Sequence, residues 1–393
     1  MIQHIFPIMP TFVCAFWAVL LILLNFEKRS EPTRILATFM VVAMALYFCH
    51  ATFFYEQTVT MPITDTIYIF ANLAVFPLYY IYIFRLTSSS VKTRNILWVL
   101  LPSIIFGTGV GIVYLLMSHE EQMCYINEYL YQFQLYQDTK LISYQCTLHN
   151  VARVVFALEV ILVLIFGLKR LHAYNAALPN KYVDVEERNL TAHSRMLVYF
   201  VVVSFLSFFF NIIGRSQFAH SYLVVIPSVL FSVMIFALGM IGLRMHNMRF
   251  TIEEPDLINE PQSGASAEEP DLAVDTTISD SQILELASKI RSLVEEKKLY
   301  LRYDLKSKDL IAELCSNHYY FSLAFGSMNC TFADYINNLR IQHAVSLIKE
   351  KRSLKLTEIM LESGYLSEAS FFRNFKRIMG CTPKQYIAGC SPS

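Results

Sequence analysis

Charged residues are scarce in the first 250 residues of this 393-residue chain. Long apolar runs such as Leu197–Phe210 fill that part, whereas residues 251–393 carry charges throughout. The formal net charge of zero says little about binding partners, because it averages two unlike parts. The sequence therefore predicts a membrane-embedded part followed by a soluble part.

Sequence motifs of the common enzyme classes are missing as well. His119-Glu120 lacks the second histidine of a zinc-protease motif, and we find neither a phosphate-binding loop nor a nucleophile elbow. Eight cysteines in a chain of this length do not make a disulfide framework. We therefore expect no enzyme, no cofactor and no metal site.

Seven apolar segments come near the length of about 20 residues that a membrane-spanning helix needs. The N-terminus shows no separate apolar core with a small-residue cleavage site, so we expect no removable signal peptide and interpret the first run as a retained span. The predicted fold is all-α, with a seven-span membrane helix bundle in residues 1–250. The spans are Ile5–Phe26, Ile35–Phe54, Ile67–Phe84, Ile96–Met117, Val151–Leu168, Met196–Ile213 and Tyr222–Leu243.

The distribution of Lys and Arg predicts the orientation, because positive residues near span ends stay in the cytoplasm. Thirteen lie in the loops that are cytoplasmic if the N-terminus is outside, and only Lys140 and Arg215 lie in the outer segments. We expect a multi-pass membrane protein with its N-terminus outside and its C-terminal part in the cytoplasm. The thirteen are Lys28, Arg29, Arg34, Arg85, Lys92, Arg94, Lys169, Arg170, Lys181, Arg188, Arg195, Arg244 and Arg249.

The largest outer loop, Ser118–His149, is acidic and rich in tyrosine, and it contains Cys124 and Cys146. A disulfide between them is chemically allowed outside the reducing cytosol, and the sequence leaves open whether it forms. The loop is either part of a sensing surface or a structured lid without a ligand. Glu159, near the middle of the fifth span, is an intramembrane polar site or a carboxyl group bonded to a neighbouring helix.

Residues 251–280 form a predicted acidic, flexible linker with nine acidic residues and no Lys or Arg. Such a composition cannot bury enough apolar surface to fold. A helix should follow, capped by Ser279 and Gln282, with Ile283, Leu286, Ile290 and Leu293 at heptad spacing. It is too short for a confident coiled coil, so packing on the next domain and homodimerisation both stay open.

Residues 281–393 contain two similar helix-turn-helix patterns. The first is Lys308–Leu314 and His318–Met328 around a Cys-Ser-Asn turn, and the second is Thr357–Glu362 and Ser367–Met379 around a Ser-Gly-Tyr turn. The predicted helix Phe332–Lys351 joins them. At about 30 Å it could hold two recognition helices over successive major grooves, about 34–36 Å apart. Fourteen Lys and Arg against eight Asp and Glu after residue 296 favour phosphate binding.

The second pattern consists of Leu356-Thr357-Glu358-Ile359 in its first helix, the turn Ser363-Gly364-Tyr365, the stretch Phe371–Arg377 in its second helix, and the ending Gly380-Cys381-Thr382-Pro383. These motifs resemble those of the AraC/XylS family of bacterial transcription regulators, and the resemblance covers roughly Leu299–Ala388. It implies that Glu368, Ser370 and Arg373 face the DNA groove, where Arg can pair with guanine and Glu can accept from cytosine. Lys376 and Arg377 are then expected to contact phosphates.

The first pattern departs from the family. Leu323 stands where arginine is common, no cation occurs from Ser322 to Asn329, and the glycine expected before Thr331-Phe332 is missing. Two roles stay open for this unit: weaker DNA reading through His318, Tyr319 and Ser322, or a scaffold.

Together these features predict a membrane-anchored transcription regulator that couples a membrane or extracytoplasmic signal to gene expression. The resemblance to bacterial regulators implies that its membrane is the bacterial inner membrane. The expected partners of the protein are double-stranded DNA, the lipid bilayer, RNA polymerase and an unidentified signal ligand or protein. A transporter with a regulatory domain is a different class, and sparse intramembrane charge without internal repeats argues against it.

The predicted orientation can be tested with reporter fusions. A reporter that is active only outside the cytoplasm should work when fused within Ser118–His149 and be inactive after Arg249. Activity after Arg249 would contradict both the span count and DNA binding, because a DNA reader must face the cytosol.

Overall fold

The computed structural model describes residues 6–27, 29–88, 93–132, 139–212, 225–249, 280–350 and 354–389. Helices make up all the regular secondary structure in these ranges, in agreement with the all-α prediction. The predicted linker, apart from Asp280, lies outside the described residues, as does Ser279. The chain forms two compact units. The first contains the described residues up to Tyr174 and those of 190–249, and the second contains Asn175–Asn189 and the described residues from Asp280 onwards.

The described residues include six helices that are long and apolar enough to cross a membrane. The shorter apolar stretch Thr191–Phe205 lies at the position of the sixth predicted span, so the helix pattern agrees with the predicted bundle. The helices as far as residue 249 are α1 (Met9–Glu27), α2 (Glu31–Phe54), α3 (Met61–Thr87), α4 (Leu101–Leu116), α5 (His119–Cys124), α6 (Lys140–Lys181), α7 (Val185–Arg188), α8 (Thr191–Ile212) and α9 (Val225–Arg249).

A buried polar cluster ties three of these helices together near the Ser118–His149 loop. The Asp65 carboxylate on α3 accepts a hydrogen bond of 2.8 Å from the Tyr114 hydroxyl on α4, and it lies 2.9 Å from Nε2 of His149 on α6. The other ring nitrogen of His149 lies 3.0 Å from the Gln145 carbonyl oxygen. A buried carboxylate needs such partners, because desolvation costs several kcal/mol. Asp65 was not predicted as a functional residue, because it precedes the apolar run that begins at Ile67.

Two bonds that the sequence left open for the membrane part, a Cys124–Cys146 disulfide and a hydrogen bond of Glu159 to a neighbouring helix, are not found among the described residues. Cys124 and Cys146, both within the described residues, are not joined by a disulfide. Cys124 ends α5, whereas Cys146 lies on α6. Glu159 is half-buried, and neither of its carboxylate oxygens has a hydrogen-bond partner among the described residues. The described part of the chain therefore does not contain the helix-to-helix bond that was one of the two interpretations of Glu159.

Among the described residues from Asp280 onwards, the longest helix is the linker helix α12 (Phe332–Glu350), and shorter helices lie before and after it in the chain. The five helices predicted for the two motifs and the linker helix all appear, and their bounds differ from the prediction by at most one residue. Helix ends are less well defined by pattern than helix centres. Helix α10 (Asp280–Glu296) begins directly after the predicted cap Ser279, and the 3-10 helix Leu299–Leu301, which was not predicted, follows it. The first helix-turn-helix comes next, and its second helix begins at His318 as predicted.

 The two helices of that first motif are α11a (Ser307–Glu313) and α11b (His318–Ser327). The linker helix α12 (Phe332–Glu350) follows, and then α13 (Leu356–Glu362), α14 (Glu368–Met379) and α15 (Pro383–Ile387).

The linker helix α12 contributes to two separate apolar clusters. Its N-terminal part places Phe332 and Ile336 in a cluster with α10 and α11b, and its C-terminal part places Ile341 and Ala344 in a cluster with α13 and α14. Ala287, Ile290 and Val294 of α10 are buried in the first cluster. Packing on the DNA-binding half, one of the two roles left open for this helix, is therefore present in the structure.

Between the two clusters, α12 carries polar side chains that are almost fully buried. Arg340 has no exposed surface, and it donates hydrogen bonds of 2.7 Å to the carbonyl oxygens of Tyr300 and Arg302. Asn337 accepts a hydrogen bond of 2.7 Å from the Tyr365 hydroxyl. We call Asn337, Arg340 and Tyr365 the polar joint, because these residues connect the two helix-turn-helix units through α12.

Three glycines of the second unit allow a test of how tightly the turn beside the joint is packed. Gly364 has a φ of +81°, and a Cβ there would lie 2.7 Å from the Leu301 carbonyl oxygen. Gly380 has a φ of +75° with no neighbouring atom within 4 Å, and Gly326 lies inside helix α11b with equally open space.

We expect Gly364→Ala to destabilise the second unit by about 2 kcal/mol or more, since it combines left-handed strain with a steric clash. Gly380→Ala should cost about 1 kcal/mol, and Gly326→Ala should stabilise the helix by about 0.5–1 kcal/mol. Hydrogen exchange in peptides from the second unit of the full chain measures all three. Equal effects at Gly364 and Gly380 would show that the contact with Leu301 is unimportant.

Candidate nucleic-acid interface

The second helix-turn-helix consists of α13, a turn around Gly364, and α14. The Ser367 side chain caps α14 by accepting a hydrogen bond from the Ser370 backbone N–H, and Gly380 ends the helix in a left-handed conformation. Serine is favoured at a helix N-cap because its oxygen satisfies an otherwise unpaired backbone N–H. These local signals fix where the second recognition helix begins and ends.

Helix α14 has one apolar face and one exposed face. Phe371 and Phe375 have no exposed surface and pack in the second apolar cluster. Glu368, Arg373 and Lys376 are exposed. Within the described residues Lys376 makes no ion pair, so its ammonium group is available to a phosphate.

Two of the predicted contact residues are placed differently from this exposed set. Ser370 is only 7% exposed, so the structure does not place its side chain beside Glu368 and Arg373 on the exposed face. Arg377 is exposed but donates hydrogen bonds to Asp334 of α12, at 2.5 Å, and to Asn374, at 3.1 Å. A phosphate would have to share or replace the Asp334 carboxylate to bind Arg377.

The Asp334 carboxylate also caps the start of α12 together with Thr331. Partial burial would raise the pKa of Asp334, but hydrogen bonds from Thr331 and Arg377 outweigh that effect and lower it. The carboxylate therefore stays charged at neutral pH. It holds the guanidinium group of Arg377 near the linker helix in the free chain.

The first helix-turn-helix has the same layout with different chemistry. Asn317 caps α11b by accepting a hydrogen bond of 3.0 Å from the Tyr320 backbone N–H. Tyr319 and Ser322 are exposed and His318 is half-buried, and the helix contains no Lys or Arg. These side chains can offer hydrogen bonds or ring contacts to DNA but no cation.

Two residues of the first motif other than glycine have positive φ angles. Cys315, two residues after the end of α11a, has a φ of +49°, and Gly364 occupies the matching position two residues after the end of α13. Asn329 has a φ of +53° in the stretch where the expected glycine is missing. Asparagine adopts positive φ more readily than most residues. The first unit therefore keeps the turn geometry without glycine.

Comparison with known proteins agrees with this architecture. A family model described as a helix-turn-helix domain matches residues 310–389. These residues form an AraC-type helix-turn-helix domain. An uncharacterized HTH-type transcriptional regulator of Staphylococcus aureus is 32% identical over 99 residues, and a second one, from strain MRSA252, is 31% identical over the same length.

The aligned region covers 25% of this chain and 13% of each relative, so the chain spans only a small part of the curated relatives that it matches. No solved structure is significantly similar to the chain. The family model itself matches about a fifth of the chain, residues 310–389.

The polar joint was not predicted from the sequence. Asn337 and Arg340 lie on a helix that was predicted from its apolar residues, and the sequence does not show that a polar residue between those apolar positions is buried. A charged residue in the middle of an otherwise amphipathic linker helix was the only available signal. Its carbonyl partners, at Tyr300 and Arg302, lie about 40 residues earlier in the chain, a separation that helix periodicity cannot report.

The exposed face of α14 gives an expected order of effects on DNA binding. Arg373→Ala should lower specific binding roughly tenfold and relax the preference at one or two base pairs, since a bidentate contact contributes about 1–3 kcal/mol. Lys376→Ala should weaken binding to all sequences and lower the salt dependence by about one phosphate contact. Ser322→Ala should have little effect.

These variants can be compared in the full chain reconstituted in nanodiscs, using sites selected from random duplexes at several salt concentrations. Lys349→Ala, at an exposed position on the linker helix, removes the same charge away from α14 and serves as the control. A loss with Ser322→Ala equal to that with Arg373→Ala would identify the first unit as a full DNA reader.

Proposed function

We propose that this protein is a membrane-anchored, sequence-specific DNA-binding transcription regulator. The observation that carries the proposal is the placement of a helix-turn-helix domain after six helices that are long and apolar enough to cross a membrane. The distribution of Lys and Arg supports an orientation with the N-terminus outside and the DNA-binding domain in the cytoplasm of a bacterial inner membrane.

The second recognition helix is the principal DNA reader in this proposal. Its exposed Glu368 and Arg373 offer an acceptor and a donor pair to base edges, and Lys376 offers a charge to the backbone. The linker helix α12 has 19 residues, and a helix of that size is about 28 Å long. That length is close to the separation of successive major grooves, so a single chain could place both units on one duplex.

The membrane unit acts as a sensor of a membrane or extracytoplasmic signal in this proposal. The buried cluster of Asp65, Tyr114 and His149 supports such a role, because ionisable groups within a bilayer protein are costly and are often functional. The cluster includes the last residue of the predicted outer loop, His149. RNA polymerase and a second copy of the chain are further proposed partners.

Genome-wide mapping of DNA crosslinked to the full chain in cells tests the proposed function. We expect discrete sites upstream of genes, with most sites lost in Arg373→Ala and retained in Lys349→Ala. Transcription of the neighbouring genes should change when the wild-type chain is removed. Crosslinking that is uniform along the chromosome, and equal in both variants, would contradict sequence-specific regulation.

A further inference from the structure

A short segment from the middle of the chain packs within the DNA-binding unit. Residues 175–189 belong to the second unit, although the residues on either side, Tyr174 and Leu190, belong to the first. The segment comprises the end of α6, the turn after it, and α7. Its sequence position lies between the fifth and sixth predicted spans, on the cytoplasmic side in the proposed orientation.

Apolar packing attaches this segment to the first helix-turn-helix. Val183 is 4% exposed and lies in the apolar cluster that contains Phe321, Phe325 and Ile336. The preceding residue, Tyr182, is also buried and forms an antiparallel backbone bridge with Lys306, directly before α11a. A side chain from residue 183 therefore completes the core of a unit that otherwise begins about one hundred residues later.

Polar contacts attach the same segment to the polar joint. The Val183 carbonyl oxygen accepts a hydrogen bond of 3.3 Å from the side-chain amide of Asn337, whose oxygen accepts from Tyr365. Burial lowers the pKa of Arg340, and the negative charge of Asp184 opposes that shift by favouring the charged guanidinium group. One backbone carbonyl and one carboxylate of the segment thus act on residues that connect both helix-turn-helix units.

Undocking would expose these groups to different surroundings. The Asn337 amide would lose its hydrogen bond to the Val183 carbonyl oxygen. The first cluster would lose the Val183 side chain, and Arg340 would lose a nearby opposite charge. The arrangement of the two helix-turn-helix units relative to α12 is therefore more strongly fixed with the segment in place.

We infer that residues 175–189 are a docking segment through which the membrane part controls the DNA-binding part, and that docking supports DNA binding by fixing the polar joint. The inference rests on the proposed function. Preorganised binding surfaces lose less entropy on association, which is why docking should raise affinity. Because helix α6 extends from residue 140 to residue 181, the same helix that forms a predicted span ends in the docking segment.

Disulfide crosslinking tests the docking contact without DNA. Paired residues of antiparallel strands have Cα atoms about 4.5–5.5 Å apart, within the range of a disulfide. In a chain lacking the eight native cysteines, Tyr182→Cys with Lys306→Cys should crosslink on oxidation. A protease site inserted in residues 251–280 allows the crosslink to be detected. After cleavage, the two fragments stay covalently joined only if the disulfide has formed.

Two controls accompany the crosslinking. Tyr182→Cys with Lys308→Cys moves the second thiol to an exposed position two residues away and should crosslink much less. Val183→Asp should reduce crosslinking of the first pair several-fold, because it places a charge in the apolar cluster. Val185→Asp makes the same substitution at a half-buried residue outside that cluster and should leave crosslinking unchanged.

DNA binding by the same chains in nanodiscs tests the functional consequence. Val183→Asp should weaken binding to a selected site roughly tenfold, and Val185→Asp should not. Closing the Tyr182–Lys306 disulfide in the Val183→Asp chain should restore most of the affinity, and reduction should remove it again. Restoration distinguishes loss of docking from misfolding of the DNA-binding unit.

Absence of the crosslink would contradict the inference that residues 175–189 dock on the DNA-binding part. Crosslinking with equal DNA affinity in the Val183→Asp and wild-type chains would overturn the segment's control of DNA binding. Tighter binding after Val183→Asp would reverse the predicted direction and overturn the supporting role. Efficient crosslinking in the Tyr182→Cys, Lys306→Cys chain that keeps Val183, with no binding of that chain to any duplex, would support the contact and contradict the proposed function, so the two failures are distinguishable.

Discussion

A guanidinium group without solvent exposure constrains the arrangement of the whole DNA-binding unit. Arg340 cannot be buried cheaply, because a charge removed from water must recover its lost hydration from nearby dipoles and opposite charges. The carbonyl oxygens of Tyr300 and Arg302 supply part of this at 2.7 Å each. The loop before the first motif must therefore lie against the linker helix. Gly364, which lies within a few ångströms of the Leu301 carbonyl, must leave room for it.

In the membrane unit a buried carboxylate likewise needs polar partners from other parts of the chain. Asp65 is 7% exposed, and it is surrounded by a phenol and an imidazole from two other helices. Apolar helices in a bilayer gain little from burying hydrocarbon against one another, so polar contacts and close packing determine which helices meet. In both units a few satisfied polar groups determine the arrangement, and apolar residues fill the space around them.

Residue patterns predicted the helices well where each helix carries its own signals. Helix α14 shows this: Ser367 caps its start, Gly380 ends it, and Phe371 and Phe375 mark its buried face. The family resemblance implied that Ser370 faces the DNA groove, although its side chain is buried in the structure. A residue at the border between two faces is decided by what packs against it, which the helix pattern does not contain.

Contacts between distant parts of the chain could not be predicted from residue patterns. Val183 follows an apolar span and reads as an ordinary loop residue, and its partners Phe321 and Asn337 lie more than one hundred residues later. Asp65 reads as the polar boundary of a span, and its bond to His149 depends on how three helices assemble. The DNA-binding role of the exposed residues of α14 comes from the family resemblance, and their contacts with DNA stay a prediction.

The position of Val183 has a consequence for how such proteins can change over evolutionary time. Regulatory domains are often exchanged between proteins as complete modules, which works when each module contains its own core. Here the core of the first helix-turn-helix includes a side chain from a loop between two predicted spans. A transplanted C-terminal domain would carry an unfilled position in its core, so the two parts of this chain are expected to be inherited together and to vary in concert.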